Sequence, residues 1–210
     1  MTFFMRNILG PEMILRIPAL LISITIHEFA HARTSYALGD PTPKMTGRLS
    51  LNPLNHLDPL GLLMLWFFRF GWAKPVQINP FYYEDRKKGT ILVSIAGPLS
   101  NLLLAFITLI ILKLGIFSGL PLSFLYTLYM YNLILAVFNL IPIPPLDGSK
   151  ILMGLLPGRQ AYEFSKLENY GPIILILFIY LGLLDTILDP MINVVWTGLN
   201  TLTNLLLFRF

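Results

Sequence analysis

Cysteine is absent from this chain of 210 residues, and charged residues make up only 12% of it. The missing thiols exclude disulfide bonds and thiolate metal sites, so any bound metal needs nitrogen or oxygen ligands. Charge is scarce because 55% of the residues are hydrophobic, and the mean hydropathy is +0.70. These values lie outside the ordinary balance of a soluble domain and predict a polytopic membrane protein.

Long polar segments, internal repeats and low-complexity tracts are also missing, so residues 1–210 are predicted to form a single membrane domain. Its core is expected at 11–155 and its C-terminal helices at 165–208. A helix needs about 20 residues to cross a bilayer. The expected fold is all-α with about five transmembrane helices, the first of which is retained rather than cleaved. The apolar stretches behind this count are 17–26, 91–112, 121–141, 172–184 and 190–208.

The chain between the first two of these stretches contains a different pattern. Residues 57–72 include only about a dozen uninterrupted apolar positions, which favours a re-entrant or interfacial segment over a full span. Alternation at 46–52 and a second extended candidate at 73–80 predict a short membrane-edge β-hairpin or sheet. Such a hairpin either lies on the membrane surface or pairs with an added peptide strand.

The net charge of +4 indicates orientation in the membrane, and no nucleic-acid partner is expected. If 57–72 does not cross, the basic residues collect on one side, with Asp185 and Asp189 opposite. The positive-inside rule favours this arrangement, with the N-terminus outside and the C-terminus inside. The basic residues concerned are Lys44, Arg48, Lys74, Arg86, Lys87, Lys88, Lys150, Arg159, Lys166 and Arg209.

The first apolar helix, expected to end at Leu38 with Gly39 as its cap, contains His27, Glu28 and His31. Residues four apart share a helix face, so both imidazoles can bind one zinc ion while the glutamate activates water. The histidines lie roughly 16 and 10 Å from the helix end, within the hydrocarbon layer. Ionisable groups there cost about 2.5–3.5 kcal/mol each and usually mark function. The alternative is that both histidines only hydrogen-bond within a helix bundle.

A catalytic zinc usually has a third protein ligand. His56 is the only other histidine, and it is expected in a polar loop, either exposed or hydrogen-bonded. Asp147 is the stronger candidate, because it follows the prolines of "NLIPIPPLDGSK", which must break the preceding helix. Asp147 and the histidines lie on the same side of the membrane if 57–72 does not cross. The alternative for Asp147 and Gly148 is an ordinary turn.

Together these motifs closely resemble the site-2 protease family of intramembrane zinc metalloproteases, peptidase family M50. The resemblance is carried by "HEFAH" at 27–31 and "NLIPIPPLDG" at 139–148, with further similar stretches at 47–61, 70–80 and 96–105. It is greatest to the compact prokaryotic branch without PDZ or CBS domains. The resemblance implies one Zn²⁺ per chain, with His27, His31 and Asp147 as ligands and Glu28 as general base.

The resemblance also implies a substrate that is a transmembrane-helix protein in the lipid bilayer. The expected location is the cell membrane, with several passes and the active site toward the cytoplasmic side. Asn139 resembles the family's asparagine that holds the substrate backbone or the oxyanion; the alternative is a helix–helix hydrogen bond. Asn101 invites the same two interpretations, with packing favoured. The rival function is a non-proteolytic metal-binding scaffold or transporter.

Overall fold

The computed structural model describes residues 13–59, 61 and 73–207. Within these residues the regular structure is helical, and they contain no strand. Short 3₁₀ turns lie at Pro53–His56, Pro80–Tyr82 and Lys166–Tyr170. The α-helices of the described residues are α1 (Met13–Ala37), α2 (Thr42–Met45), α3 (Arg86–Lys113), α4 (Gly119–Asn139), α5 (Asp147–Leu155), α6 (Gly158–Ser165), α7 (Gly171–Tyr180) and α8 (Leu183–Leu207).

Three of the described helices, α1, α3 and α4, are long and apolar enough to cross a membrane. A fourth span is counted only if 158–180 and 183–207, which meet at 83°, are taken together. The predicted count of about five is therefore not supported. The error lies at the C-terminus, where α7 has only 10 residues and Gly182, with φ of 68°, turns the chain into α8.

The three long helices form a bundle in which α1, α3 and α4 pack against one another. α1 and α3 are antiparallel, because His31 contacts Val93 whereas His27 contacts Asn101. A short connection, 114–118, then returns the chain through α4. The end of α1, the start of α3 and the end of α4 therefore lie at the same end of the bundle, hereafter the site end. This arrangement agrees with the topology that the charge pattern favours.

α1 ends at Ala37, one residue before the predicted end at Leu38, and Gly39 follows it as the predicted cap. Gly39 has φ of 99°, a conformation that glycine adopts without a steric cost. Its amide donates to the Tyr36 carbonyl, and the Asp40 amide donates to the Ser35 carbonyl. These two bonds are those of a Schellman motif, which directs the chain sharply out of the helix.

The predicted β-hairpin is wrong for the described residues. The only pairing there is one isolated antiparallel bridge, Leu57 with Ala73. Backbone amides of the second predicted strand donate instead to side chains near α1: Val76 to Glu28, and Asn79 to Asp40. Amides occupied in this way do not form a ladder. The predicted re-entrant segment lies mostly outside the described residues, at 60 and 62–72.

The helix break before Asp147 is confirmed. α4 ends at Asn139, the prolines of 142–145 lie in the turns that follow, and α5 begins at Asp147. α5 packs on α3, where Gly154 leaves room for the Ile91 side chain. A buried apolar cluster joins α3, α4, α7 and α8 on the other side of the bundle and includes Ala105, Leu109, Leu133, Val137, Leu175, Leu184 and Leu188.

Candidate metal centre

His27 and His31 point from one face of α1 toward a common position, as their spacing of four residues requires. Their ring centroids are 4.6 Å apart in an edge-to-face arrangement, and their Nε2 atoms are 3.0 Å apart. Both side chains are buried. Gly97 of α3 lies directly beneath them, and a Cβ atom there would overlap the His31 ring. Glycine at this position therefore allows α3 to approach the two imidazoles.

Asp147 completes the cluster from the first residue of α5. Its Oδ2 atom lies 3.1 Å from Nε2 of His27 and 3.1 Å from Nε2 of His31. The following residue must be glycine, because a Cβ at Gly148 would overlap the Leu140 carbonyl oxygen. The proline-broken chain thus brings a buried carboxylate to two histidines that are 116 and 120 residues away in sequence.

The second ring nitrogen of each histidine fixes its protonation. Nδ1 of His31 lies 2.6 Å from the Val93 carbonyl oxygen, which only accepts hydrogen bonds. Nδ1 of His27 lies 2.6 Å from Oδ1 of Asn101, whose amide nitrogen donates to the Ser23 carbonyl. Both Nδ1 atoms therefore carry the proton and donate it. In the neutral rings, both Nε2 lone pairs then face each other and the Asp147 carboxylate.

These three atoms fit a metal cation better than they fit one another. Ligands of a tetrahedral zinc with bonds of about 2.0 Å lie about 3.3 Å apart, and the three distances here are 3.0, 3.1 and 3.1 Å. If the cluster held one proton instead of a metal, that proton would sit on one Nε2 atom, and the lone pair of the other Nε2 atom would still face the Asp147 carboxylate. The donor set is two imidazoles and one carboxylate, which is that of a catalytic zinc site with one position left open.

Glu28 lies beside the cluster on the wall of a cavity of about 130 Å³. Its Oε2 atom accepts a hydrogen bond from the Val76 amide, at 3.0 Å. The cavity is large enough to hold water next to the three ligands. Its wall also includes Pro75, Val76 and Ile78 of the predicted second strand. The sequence reasoning did not select as site residues the remaining wall residues Val93, Ser94, Pro145 and Lys150.

Asn101 lies behind His27 and does not line this cavity. Both atoms of its amide group form hydrogen bonds: Oδ1 accepts from His27, and Nδ2 donates to the Ser23 carbonyl and to Oδ1 of Asn132. Asn132 donates in turn to the Ser23 hydroxyl and the Leu128 carbonyl. Asn101, Asn132 and Ser23 are completely buried. These contacts correspond to the packing alternative for Asn101, which the sequence analysis favoured.

Asn139, the last residue of α4, does line the cavity. Its Nδ2 donates to the Leu135 carbonyl at 3.0 Å, which leaves the second N–H of the amide for another acceptor. His56 is not part of the metal cluster; it is fully buried, and its Nε2 lies 2.8 Å from the Ser50 carbonyl oxygen. Of the two alternatives for His56, exposure and a hydrogen bond, the structure shows the hydrogen bond.

A polar stripe along α1 is the signal that the sequence reasoning overlooked. Ser23, His27, His31 and Ser35 are four residues apart and are all buried. His27 and His31 lie in the middle of this stripe. The two serines at its ends form hydrogen bonds with Asn132 and Asp40. The period of four along one helix face marks these residues as one buried functional surface.

Two histidines four residues apart, an adjacent glutamate and a carboxylate from a second helix define a metallopeptidase type of site, here within a helical membrane protein. The comparisons with known proteins agree. A model of peptidase family M50 matches residues 116–181, which include Asp147. "Putative zinc metalloprotease YwhC" of Bacillus subtilis is 39% identical over 183 residues, which are 83% of this chain and 84% of that protein.

Two longer relatives match as well. "Putative zinc metalloprotease Rip2" of Mycolicibacterium smegmatis is 33% identical over 179 residues, which are 79% of this chain and 66% of that protein. "Zinc metalloprotease MJ0392" of Methanocaldococcus jannaschii is 36% identical over 170 residues, 79% of this chain and 42% of that protein. No solved structure gives a significant match. The chain belongs to peptidase family M50, which confirms the resemblance inferred from its two motifs.

Proposed function

We propose that this chain is an intramembrane zinc metalloprotease that hydrolyses peptide bonds within or near transmembrane segments of other membrane proteins. The observation that carries the proposal is the convergence of His27, His31 and Asp147 beside Glu28 inside the helix bundle. His31 and His27 precede the end of α1 by about 9 and 15 Å, which is membrane depth for a spanning helix. One zinc ion per chain is expected at the three ligands.

Zinc at this position supplies Lewis acidity, which polarises the scissile carbonyl and makes water a usable nucleophile near neutral pH. Glu28 accepts the proton of the attacking water and returns it to the leaving amine, acting as general base and then as general acid. Its place on the cavity wall, one residue from His27, suits this role. The Val76 amide holds the carboxylate in that place.

Asn139 supplies a hydrogen-bond donor to the substrate. The second N–H of its amide is directed to no other group in the described part of the chain, and the residue lines the same cavity as the metal ligands. A donor placed there can bind either the substrate backbone or the oxygen that becomes negatively charged during attack. The role differs from that of Asn101, whose amide supports His27.

The substrate is proposed to be a transmembrane helix whose scissile region unwinds, because a regular helix has all its backbone groups internally bonded. The protein is proposed to lie in the cell membrane, with its active site toward the cytoplasm. Support for this orientation comes from the basic residues around the site end of the bundle, which the positive-inside rule places on the cytoplasmic side. They include Lys44, Arg48, Lys74, Arg86, Lys87 and Lys88.

The experiment that tests the proposal compares the purified wild type with Glu28→Gln in detergent. Glutamine keeps the size of the side chain and removes its ability to take a proton. We expect equal zinc content, close to one ion per chain, with cleavage of a generic transmembrane substrate reduced at least 100-fold in the variant. Zinc is measured by elemental analysis of the same preparations that are assayed for cleavage.

Two results would contradict the proposal. Cleavage by Glu28→Gln at the wild-type rate would exclude Glu28 as the base. Bound zinc without cleavage by either protein, across several substrates, would favour the rival function of a metal-binding scaffold or transporter.

A further inference from the structure

Asp40 is a completely buried carboxylate outside the metal centre. No cation contacts it among the described residues; its partners are hydrogen-bond donors instead. Oδ2 accepts from the Asn79 amide at 2.7 Å and from the Ser35 hydroxyl at 2.8 Å, and Oδ1 accepts from the Thr42 amide at 2.9 Å. A buried charge that binds backbone amides from separate segments holds those segments together.

The hydrogen bonds continue from Asp40 toward α3. The Ser35 hydroxyl donates to Asp40, so it accepts from the Tyr83 hydroxyl, 2.7 Å away. The Tyr83 ring occupies space left by Gly89, where a Cβ atom would overlap it. Asp40 therefore connects the end of α1 to the start of α2 and to the chain that precedes α3.

The segment that Asp40 binds through Asn79 is also a wall of the active-site cavity. Residues 73–79, hereafter the roof segment, have Val76 and Ile78 on the cavity wall and Gln77 exposed. The Val76 amide donates to Glu28 at 3.0 Å, three residues before the Asn79 amide donates to Asp40. Two carboxylates, one on α1 and one just after it, thus fix the roof segment at two points.

The ionisation of Asp40 suits this role. Burial alone would raise the pKa of its carboxyl, but hydrogen bonds from Thr42, Asn79 and Ser35 outweigh burial and hold that pKa below its ordinary value. The carboxyl is therefore ionised near neutral pH, and an ionised acceptor makes the stronger hydrogen bonds.

We propose that Asp40 is a positioning residue of the active site, which fixes the roof segment over the metal centre so that the Val76 amide holds Glu28. Asp40 does not touch substrate in this proposal; it acts through the roof segment. Its effect on cleavage rests on the proposed protease function, whereas its effect on the roof segment does not.

The first test uses thiol labelling, for which the cysteine-free chain provides a background without reactive residues. Val76→Cys places a half-buried thiol on the inner side of the roof segment, and Gln77→Cys places an exposed thiol next to it. Each is combined with Asp40→Asn, an isosteric change that loses at least one acceptor. We expect Asp40→Asn to speed maleimide labelling of Val76→Cys at least about 5-fold and to leave labelling of Gln77→Cys unchanged. Equal labelling rates of Val76→Cys in both backgrounds would overturn the proposal.

The second test measures cleavage and zinc content in the cysteine-free protein. Asp40→Asn is expected to lower kcat about 10-fold, with a smaller change in KM and with zinc still near one per chain. Asp189→Asn, which changes an exposed carboxylate on α8, is the matched control and keeps the wild-type kcat. An unchanged kcat in Asp40→Asn, together with an active wild type, would overturn the link between Asp40 and Glu28.

A third measurement requires no substitution at Asp40 and therefore does not depend on that variant folding. Amide hydrogen exchange of the wild type should show protection at Val76 and Asn79 and none at Gln77, whose amide has no acceptor in the described part of the chain. Exchange of all three at the rate of a free peptide would overturn the proposal. If the wild type cleaves no substrate, the proposed protease function fails, while labelling and exchange still decide whether Asp40 holds the roof segment.

Discussion

The histidines of the metal centre are prepared for a cation by their neighbours, residue by residue. The Val93 carbonyl and Oδ1 of Asn101 accept hydrogen bonds from the Nδ1–H groups, so both Nε2 atoms present lone pairs. Asn101 is itself oriented by Ser23 and Asn132, both completely buried. Such partners behind a ligand set its orientation and its basicity. The polar groups buried in this part of the bundle thus serve the ligands directly.

The role of Asn101 can be measured separately from catalysis. Asn101→Ala leaves the Nδ1 proton of His27 without its acceptor, and we expect zinc affinity to fall about 10- to 100-fold. Affinity is measured by competition with a chelator at fixed pH. Thr108→Ala is the matched control on the same helix: Thr108 is also buried, but its hydroxyl donates to the Leu104 carbonyl of its own helix. Equal zinc affinity in the two variants would exclude support of His27 by Asn101.

At the scale of helices, the site depends on two close approaches that only glycine permits. Gly97 allows α3 to pass beneath the imidazoles, and Gly148 allows α5 to begin against the Leu140 carbonyl. Glycine inside a helix costs about 0.5–1 kcal/mol relative to alanine. The close helix contacts compensate for this cost. A larger residue at Gly97 would displace a histidine ring, and one at Gly148 would displace the helix that carries Asp147.

Gly97→Ala tests the helix contact. Helix propensity favours alanine, but the added methyl overlaps both histidine rings, so we expect a net loss of about 1–3 kcal/mol together with loss of zinc. The control is Gly198→Ala in α8, where, apart from the adjoining residues and backbone of α8 itself, no atom of the described residues lies within 4 Å of the added methyl. That change should instead stabilise by up to about 1 kcal/mol. Thermal unfolding and zinc content are measured for both variants. Stabilisation by Gly97→Ala with full zinc binding would show that the two helices are not in close contact.

At the scale of the whole molecule, the topology brings the metal ligands to one end of the bundle. α1 ends and α3 begins there, and α4 ends there before the chain turns into α5. Basic residues of the connecting chain surround this end, whereas the 114–118 connection lies at the other. By the positive-inside rule, we predict that the site end faces the cytoplasm.

Two single cysteines report this orientation. Glu84→Cys lies just before α3 at the site end, and Ser118→Cys lies in the connection at the opposite end; both positions are exposed. In intact cells, a membrane-impermeant maleimide should label Ser118→Cys and should label Glu84→Cys only after permeabilisation. The reverse pattern would place the active site on the outer face. Retained cleavage of a substrate by both variants confirms that each is folded.

The sequence by itself determined the local features of this protein. A spacing of four residues placed His27 and His31 on one helix face, prolines ended α4 before Asp147, and Gly39 capped α1, because each of these depends on neighbouring residues alone. The charge pattern also implied the side on which the ligands meet. The two motifs that carry the resemblance to the family, at 27–31 and 139–148, contain the histidine spacing and the prolines.

Only the tertiary structure decided which partner each polar group takes. The alternation at 73–80 is typical of a strand, yet its amides bind Glu28 and Asp40, which are 48 and 39 residues away. The sequence also could not distinguish Asn101 from Asn139, because each is an asparagine in an apolar helix. In the structure Asn101 lies behind His27, whereas Asn139 lies on the cavity wall. The periodicity of a sequence and the propensities of its residues reflect the free energy of one segment alone. The partner of a buried hydrogen bond depends instead on which groups from distant segments lie next to it in the packed bundle.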